Sequence, residues 1–228
     1  MPTHVIVRML RLAAVPLLLL VSAAPAWSQV EQGFAKDGGF AGVSFVPDFT
    51  FDGVTFDGRT VYKEVGGEEL MILPRVDARN LVRFVLGYRA RQAAIEVSYD
   101  RTAHNGTFLD VSGKATFQAV NVDGRYFFAT RRRIQPHLLF GGSLPWFTVK
   151  DGSFLDSRVA DASFQGWGMN TEAGATVYVH RQLGISVGYN YRIVWFDRAT
   201  GVSEKLYDLR PRFRETSGAL VVATHLIF

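Results

Sequence analysis

Apolar and polar residues alternate along most of this chain with a period of two. The clearest segment runs from Leu183 to Trp195, where every odd position is large and apolar and the even positions include Ser186, Asn190 and Arg192. A period of two is that of a β-strand, because successive side chains point to opposite faces. No helical period of 3.6 residues stands out, so the pattern predicts an all-β fold.

Eight segments show this alternation, and the connections between them are long and short in turn. The segments are 39–45, 81–88, 93–100, 115–128, 134–149, 164–179, 183–195 and 215–228. The short connections are 89–92, 129–133 and 180–182, and the long ones include 101–113, 150–163 and 199–214. An even strand number with alternating connections predicts an eight-stranded antiparallel up-and-down transmembrane β-barrel, with short periplasmic turns and long extracellular loops.

The polarity of the two faces decides between a soluble and a membrane barrel. One face is continuously apolar, and the other carries charged and polar side chains. We predict that this second set forms a polar network in the lumen: Arg83, Glu96, Asp100, Asp123, Arg125, His137, Glu172, Arg192 and His225. So many charges would be costly inside a small soluble barrel, but in a membrane barrel they can pair with one another and with water.

Aromatic residues near the strand ends predict the interfacial girdles of such a barrel. They are Phe45, Tyr88, Tyr99, Tyr126, Phe128, Trp146, Trp167, Tyr191, Trp195 and Phe228. The last segment ends in Leu226-Ile227-Phe228, which resembles the closing strand of bacterial outer-membrane barrels, and Thr224 departs from that pattern. In that group the terminal aromatic is read by the barrel-assembly machinery, so the resemblance makes Phe228 the expected assembly signal.

With this topology the chain resembles the small eight-stranded outer-membrane barrels, namely the OmpA-type membrane domain and its OmpX-like relatives. The resemblance implies a monomer in the bacterial outer membrane, in contact with its lipid and lipopolysaccharide, and without a cofactor. We expect no cell-wall-binding domain after the last strand.

The N-terminal segment has the features of an export signal. Arg8 and Arg11 precede an apolar run, and small residues follow at Ala24-Pro25-Ala26 and Ala26-Trp27-Ser28. The run is about half as long as a membrane-spanning helix. We therefore predict a signal peptide at 1–28, cleaved after Ala26 or Ser28, then a periplasmic lead-in at 29–37 and the barrel at 38–228.

Composition removes several classes of site. The chain has no cysteine, so it has neither disulfides nor thiolate metal sites. Its formal charge of +4 includes Arg8 and Arg11 of the signal, and the remaining acids and bases are interspersed, so nothing indicates a nucleic-acid partner.

Two loop motifs have more than one interpretation. Asn105-Gly106 in the second long connection is a strong hairpin-turn signal. Phe-Asp-Gly occurs twice in the first one, at 51–53 and 56–58, where Asp52 and Asp57 could be calcium ligands or, as we favour, parts of turns.

Two clusters of arginines flank the barrel. Arg210, Arg212 and Arg214 alternate in the last long connection and could hold lipopolysaccharide phosphates, although solvated residues paired with acids are the simpler interpretation. Arg131, Arg132 and Arg133 form a basic periplasmic turn that we expect to be solvated.

Three functions follow from these features. An eight-stranded barrel is filled by its own side chains, so we expect a plugged lumen and a structural or surface-interaction role through the loops. The alternative is passage of small or hydrophobic molecules, as in OmpW-like relatives, for which glycines 141, 142, 166 and 168 could leave room. A lipid-modifying enzyme using His104, Ser98 and Asp100 is the third; we expect no enzyme and no catalytic residue.

Overall fold

The computed structural model describes residues 33–47, 52–56, 59–60, 62–65, 68–71, 80–108, 111–150, 161–200 and 213–228. They form twelve strands: β1 (Gly38–Pro47), β2 (Asp52–Phe56), β3 (Arg59–Thr60), β4 (Tyr62–Val65), β5 (Glu68–Met71), β6 (Asn80–Ala90), β7 (Ala93–Phe108), β8 (Val111–Phe127), β9 (Ile134–Lys150), β10 (Asp161–His180), β11 (Leu183–Thr200) and β12 (Phe213–Ile227). In this described part there is no helix long and apolar enough to span a bilayer.

Eight of the strands form a closed antiparallel barrel. Its order is β1-β6-β7-β8-β9-β10-β11-β12, and β12 pairs back onto β1 from Phe40↔Ile227 to Phe45↔Val222. Closure leaves the membrane-level wall without a free strand edge, as a bilayer requires. The predicted eight-stranded barrel is therefore confirmed.

The two faces of the wall follow the alternation in the sequence. Side chains such as Leu86, Leu138 and Val187 point outward and are about half exposed, whereas Arg83, Asp100 and Arg192 point inward and are buried. Several predicted girdle aromatics meet in pairs on the outside: Trp167 stacks on Trp195 with ring centroids 4.2 Å apart, and Tyr126 contacts Phe128 at 5.0 Å.

The strands on one side are much longer than the sequence pattern predicts. β10 has 20 residues and β11 has 18, whereas β1 has 10. About 9–11 tilted residues cross a membrane, so β7–β11 continue well above it. Trp167 and Trp195 consequently lie several residues inside their strands, and Tyr191 lies in mid-strand rather than near an end.

The predicted turn at Asn105-Gly106 is wrong. Both residues lie in β7 and pair with Lys114 and Gly113 of β8, and only residues 109 and 110 separate the two strands. The long loop predicted at 101–113 is thus mostly an extended hairpin. Continuous pairing along β8 outweighs the local turn preference, since propensity is a weak prior beside a full hydrogen-bond ladder.

The first long connection contains strands rather than irregular chain alone. β2 pairs with Phe213 and Arg214 of β12, above the point where β1 ends, and β3 then pairs with β2. Asp52-Gly53 therefore opens a strand and is not a turn. Asp57-Gly58 lies outside the described residues, between the paired strands β2 and β3.

Candidate functional site: the barrel lumen

An acidic side chain shared by two arginines lies in the upper half of the lumen, toward the long strands. Arg83 donates two hydrogen bonds to Asp100, from Nε to Oδ1 at 2.7 Å and from Nη2 to Oδ2 at 3.2 Å. Arg192 donates from Nη2 to Asp100 Oδ2 at 2.5 Å. β7 and β11 lie four strands apart in the eight-stranded ring, so the Asp100–Arg192 pair spans the full diameter of the barrel. We call Arg83, Asp100 and Arg192 the upper cluster.

Side-chain amides extend the upper cluster around the wall. Arg192 Nε donates to Asn170 Oδ1 at 2.8 Å, and Asn170 Nδ2 reaches Asn121 Oδ1 at 3.1 Å and Asp123 Oδ1 at 3.2 Å. Asn121 in turn donates to Ser98 Oγ at 2.9 Å. Because these groups are buried, their mutual hydrogen bonds replace those that water would make.

The lower cluster has the opposite arrangement, with one arginine between two acids. Arg125 binds Glu96 through Nε at 2.6 Å and Nη2 at 3.1 Å, and its Nη1 lies 3.5 Å from Glu172 Oε1. Arg125 Nη1 is also 2.9 Å from His137 Nε2. The same Nε2 is 3.2 Å from Glu172 Oε1, and Nδ1 is 3.3 Å from Thr176 Oγ1. In one tautomer Nε2 accepts from the Arg125 guanidinium, and in the other Nε2–H donates to the Glu172 carboxylate. These four residues lie on consecutive strands, β7 to β10.

A third, basal cluster lies nearest the short turns. Arg89 hydrogen-bonds to the hydroxyl of Tyr178 and to Gln135 Oε1, and its guanidinium lies 3.9 Å above the centre of the Phe127 ring. His225 Nε2 is 3.3 Å from the Tyr178 hydroxyl. Arg89 and Tyr178 are again on strands four apart, so this contact too crosses the lumen.

The structure therefore brings all nine predicted lumen residues into the interior and adds Arg89, which the sequence analysis missed. Arg89 was assigned to a turn, because the second strand was predicted to end at Tyr88. It has the inward parity of Arg83, and that parity was the signal available. With Arg89 included, the described residues place four arginines and four carboxylates in the lumen.

Apolar layers close the lumen above and below the charges. Phe117, Phe147, Phe164 and Phe196 point inward above the upper cluster and are almost completely buried. Below the lower cluster, a core of buried residues packs together: Ala35, Phe40, Val85, Ala94, Phe127, Tyr178 and Ile227. A cavity of about 30 Å³ beside Glu96, Arg125 and His225 has room for about one water molecule.

At three of the four glycines that could have left room for a passage, neighbouring atoms already occupy the place of a side chain. A Cβ on Gly141 would overlap the Asp123 carboxylate, and one on Gly168 would overlap Ser143 Oγ. A Cβ on Gly166 would overlap the Trp195 carbonyl oxygen, whereas one on the exposed Gly142 would meet only the Gly168 carbonyl oxygen, at 3.8 Å. These glycines therefore permit close packing in the wall rather than a passage.

Residues 33–37 of the predicted lead-in cross the short-turn mouth and bind all three turns. We call them the strap. Phe34 N–H donates to Thr130 O at 2.8 Å, and Lys36 N–H donates to Arg181 O at 2.8 Å. Asp37 Oδ1 accepts from the Arg91 N–H at 2.6 Å. Ala35 is buried beneath, so the strap closes the mouth.

Of the remaining predicted residues, the structure describes Arg214, His104 and Phe228. Arg210 and Arg212 are outside the described residues, and Arg214 lies in β12 beside Trp195. His104 lies in β7 opposite Ala115, not in a loop as predicted. Phe228 is 66% exposed, and its N–H donates to Gly39 O at 2.9 Å.

A known family now matches this architecture. The model of the family described as "Outer membrane protein beta-barrel domain" matches residues 13–209. The chain belongs to this family. The predicted resemblance to small outer-membrane barrels is thereby confirmed, and the chain is a barrel of the bacterial outer membrane.

The chain is similar to solved structures at low sequence identity. Neisserial surface protein A (NspA) has a TM-score of 0.54 and 14% identity, over 84% of this chain and 97% of that one. OprG from Pseudomonas aeruginosa has a TM-score of 0.48 and 13% identity, over 85% and 97%. The outer membrane protease OmpT from Escherichia coli has 0.44 and 9%, over 88% and 99%. No curated protein sequence matches the chain.

Proposed function

We propose that this protein is a non-enzymatic outer-membrane barrel with a plugged lumen, which acts through the extracellular ends of its strands and loops in a structural or surface-interaction role. The observation that carries the proposal is the Asp100–Arg192 pair across the diameter of the barrel, with Asp100 0% exposed. A pore wide enough for hydrated solutes has to pass this point.

Three further features support a closed lumen. The aromatic layer of Phe117, Phe147, Phe164 and Phe196 covers the charges from above, and the strap covers the opposite mouth. Among the described residues between these covers, the four arginines are matched in number by four carboxylates, which supports a network closed on itself.

Planar-bilayer conductance tests the plug. The full chain without its signal should show no stable conductance at the level of a general porin. A variant with Arg83→Ser and Arg192→Ser, which removes the two side chains that meet at Asp100, should conduct more often. A large open channel in the unmodified protein would refute the plugged lumen.

Two of the three groups of the enzyme hypothesis, Ser98 and Asp100, are engaged in the lumen network, which supports a non-enzymatic role. Asp100 binds two arginines, and Ser98 Oγ accepts from Asn121. Replacing His104 with Ala in a folded protein should leave the pattern of lipid modification in the outer leaflet unchanged. Loss of a lipid modification in that variant would restore the enzyme hypothesis.

The proposed partners are lipopolysaccharide at the upper rim and the barrel-assembly machinery at the last strand. Arg210, Arg212 and Arg214 are the proposed phosphate contacts, and replacing all three with Gln should reduce co-purified lipopolysaccharide. Unchanged co-purification would remove this clamp from the proposal. Phe228→Ala should slow assembly without changing the lumen, because the ring lies on the outer face.

Passage of a small apolar molecule is the second candidate, and one observation favours it. Pairing of β7 with β6 ends at Arg101↔Val82, so among the described strands the upper part of β7 pairs only with β8. This interruption of the wall lies near the inward-facing Phe117. Liposomes carrying the protein should take up an apolar dye faster than empty liposomes if the route exists. Equal rates would exclude it.

A further inference from the structure

A cationic cleft of about 570 Å³ lies at the periplasmic mouth, between the strap and the turns. Its lining combines strap residues with Arg91 of the first turn and with His180, Arg181 and Gln182 of the third turn. Among the described residues of this lining, Lys36, Arg91 and Arg181 are cations, and Asp37 is the one carboxylate. Asp37 already accepts a hydrogen bond from the Arg91 N–H.

The third-turn residues of the cleft directly adjoin lipid-facing residues in sequence. His180 and Arg181 directly follow Val179, which is 60% exposed, and Gln182 precedes the exposed Leu183. Both apolar side chains belong to the outer face of the barrel. A ligand in the cleft can therefore place a charged group against the cations while its apolar part lies along β10 and β11.

Both the volume and the chemistry suit a lipid headgroup. A cleft of this size is in the range that holds small-molecule ligands. Cations at the end of a lipid-facing strand bind anionic headgroups, because the acyl chains place phosphate at that depth. Gln182 adds a neutral group of the kind that binds hydroxyls.

We propose that this cleft, formed by Lys36, Arg91, His180, Arg181 and Gln182, binds the phosphate headgroup of an anionic phospholipid in the periplasmic leaflet. The lipid bridges the strap to the β10–β11 turn. The basic turn of Arg131, Arg132 and Arg133 lies on the other side of the strap, where Arg133 lies 5.4 Å from the centre of the Phe34 ring.

The test uses the full mature chain folded into phosphatidylcholine liposomes that contain a photoreactive phosphatidylglycerol. We expect cross-links on peptides containing 33–37 and 180–182, and far fewer with photoreactive phosphatidylcholine. Lys36→Gln with Arg181→Gln should lower the cross-linking yield by at least about tenfold, since each cation contributes severalfold to affinity near an anionic surface.

The matched control is Arg101→Gln with Arg198→Gln, which removes the same charge from the opposite end of the barrel. Its yield should stay unchanged, and the shift in gel mobility on heating should show that both variants fold. Equal losses of cross-linking yield in the two double variants would mean that only net charge matters, and would refute the proposed binding site. Complete displacement by a soluble peptidoglycan fragment would also overturn it, because the occupant would then not be a lipid.

Discussion

The upper and lower clusters of the lumen both pair buried charges of opposite sign, but with the roles of acid and base exchanged. In the upper cluster one carboxylate, Asp100 on β7, holds Arg83 on the adjacent β6 and Arg192 on β11, four strands away. In the lower cluster one arginine, Arg125 on β8, holds two carboxylates, Glu96 on the adjacent β7 and Glu172 on β10, two strands away. The first arrangement includes a contact across the full diameter, whereas the contacts of the second stay within one side of the wall.

The two clusters also differ in how they can adapt to a lost partner. Around Asp100 the partners are guanidinium and amide groups with fixed donor roles. Around Arg125 there is a histidine that can change its tautomer, and a cavity of about 30 Å³ that can hold water. We therefore expect the upper cluster to tolerate change less than the lower one.

The largest effect is expected for Asp100→Ala. The change removes the carboxylate that both buried arginines bind, and the amide of Asn170 cannot replace its charge for Arg192. The free energy of unfolding should therefore fall by about 3–5 kcal/mol. Urea unfolding of the barrel in liposomes, followed by tryptophan fluorescence, measures this loss. A loss below about 1 kcal/mol, the value of an exposed pair, would contradict the importance of the diametric contact.

Arg125→Ala should have a smaller effect, about 1–3 kcal/mol, because water and His137 can satisfy the remaining carboxylates. Lowering the pH should partly restore its stability, since carboxylates that have lost their arginine can be protonated and so lose their charge. The same acidification should not rescue Asp100→Ala, because guanidiniums keep their charge at every pH used. Equal pH responses in the two variants would remove the distinction between the clusters.

The sequence predicts the contents of these clusters but not their connections. Alternation assigns Asp100, Arg125 and Arg192 to one face, because side chains in a strand change face at every residue. The pairing of Asp100 with Arg192 depends on the strand stagger, which fixes the height of each residue in a closed barrel. The long hairpin of β7 and β8 was missed for a related reason, since ladder pairing overrode the Asn105-Gly106 turn signal.

The alternation of apolar and polar residues could not predict the strap, for a different reason. Its residues show no alternation, and their role depends on backbone hydrogen bonds to Thr130 and Arg181. Because backbone groups are nearly the same in every residue, these hydrogen bonds cannot be predicted from the residue types. Only Asp37, with a side chain that binds the first turn, could have suggested them.

A moderate effect is expected at the wall that supports the upper cluster. Gly141→Ala would place a methyl group against the Asp123 carboxylate and the Val122 carbonyl oxygen, and should cost about 1–3 kcal/mol. Gly142→Ala is the matched control, because its methyl group would make only an ordinary contact, 3.8 Å from the Gly168 carbonyl oxygen. The difference between the two unfolding midpoints measures the packing. Equal midpoints would mean that Asp123 can move without loss.

The smallest effect is expected in the basal cluster, at Tyr178→Phe. The ring stays in its apolar layer, but the hydroxyl that Arg89 and His225 approach is lost. Arg89 keeps Gln135 Oε1 and the Arg91 carbonyl oxygen as acceptors, so the cost should be only about 1 kcal/mol. Tyr88→Phe, on the lipid-facing side of the strand that carries Arg89, is the control for losing a tyrosine hydroxyl. If Tyr178→Phe instead costs as much as Asp100→Ala, the basal contact is the main connection across the lumen, and the upper cluster is secondary to it.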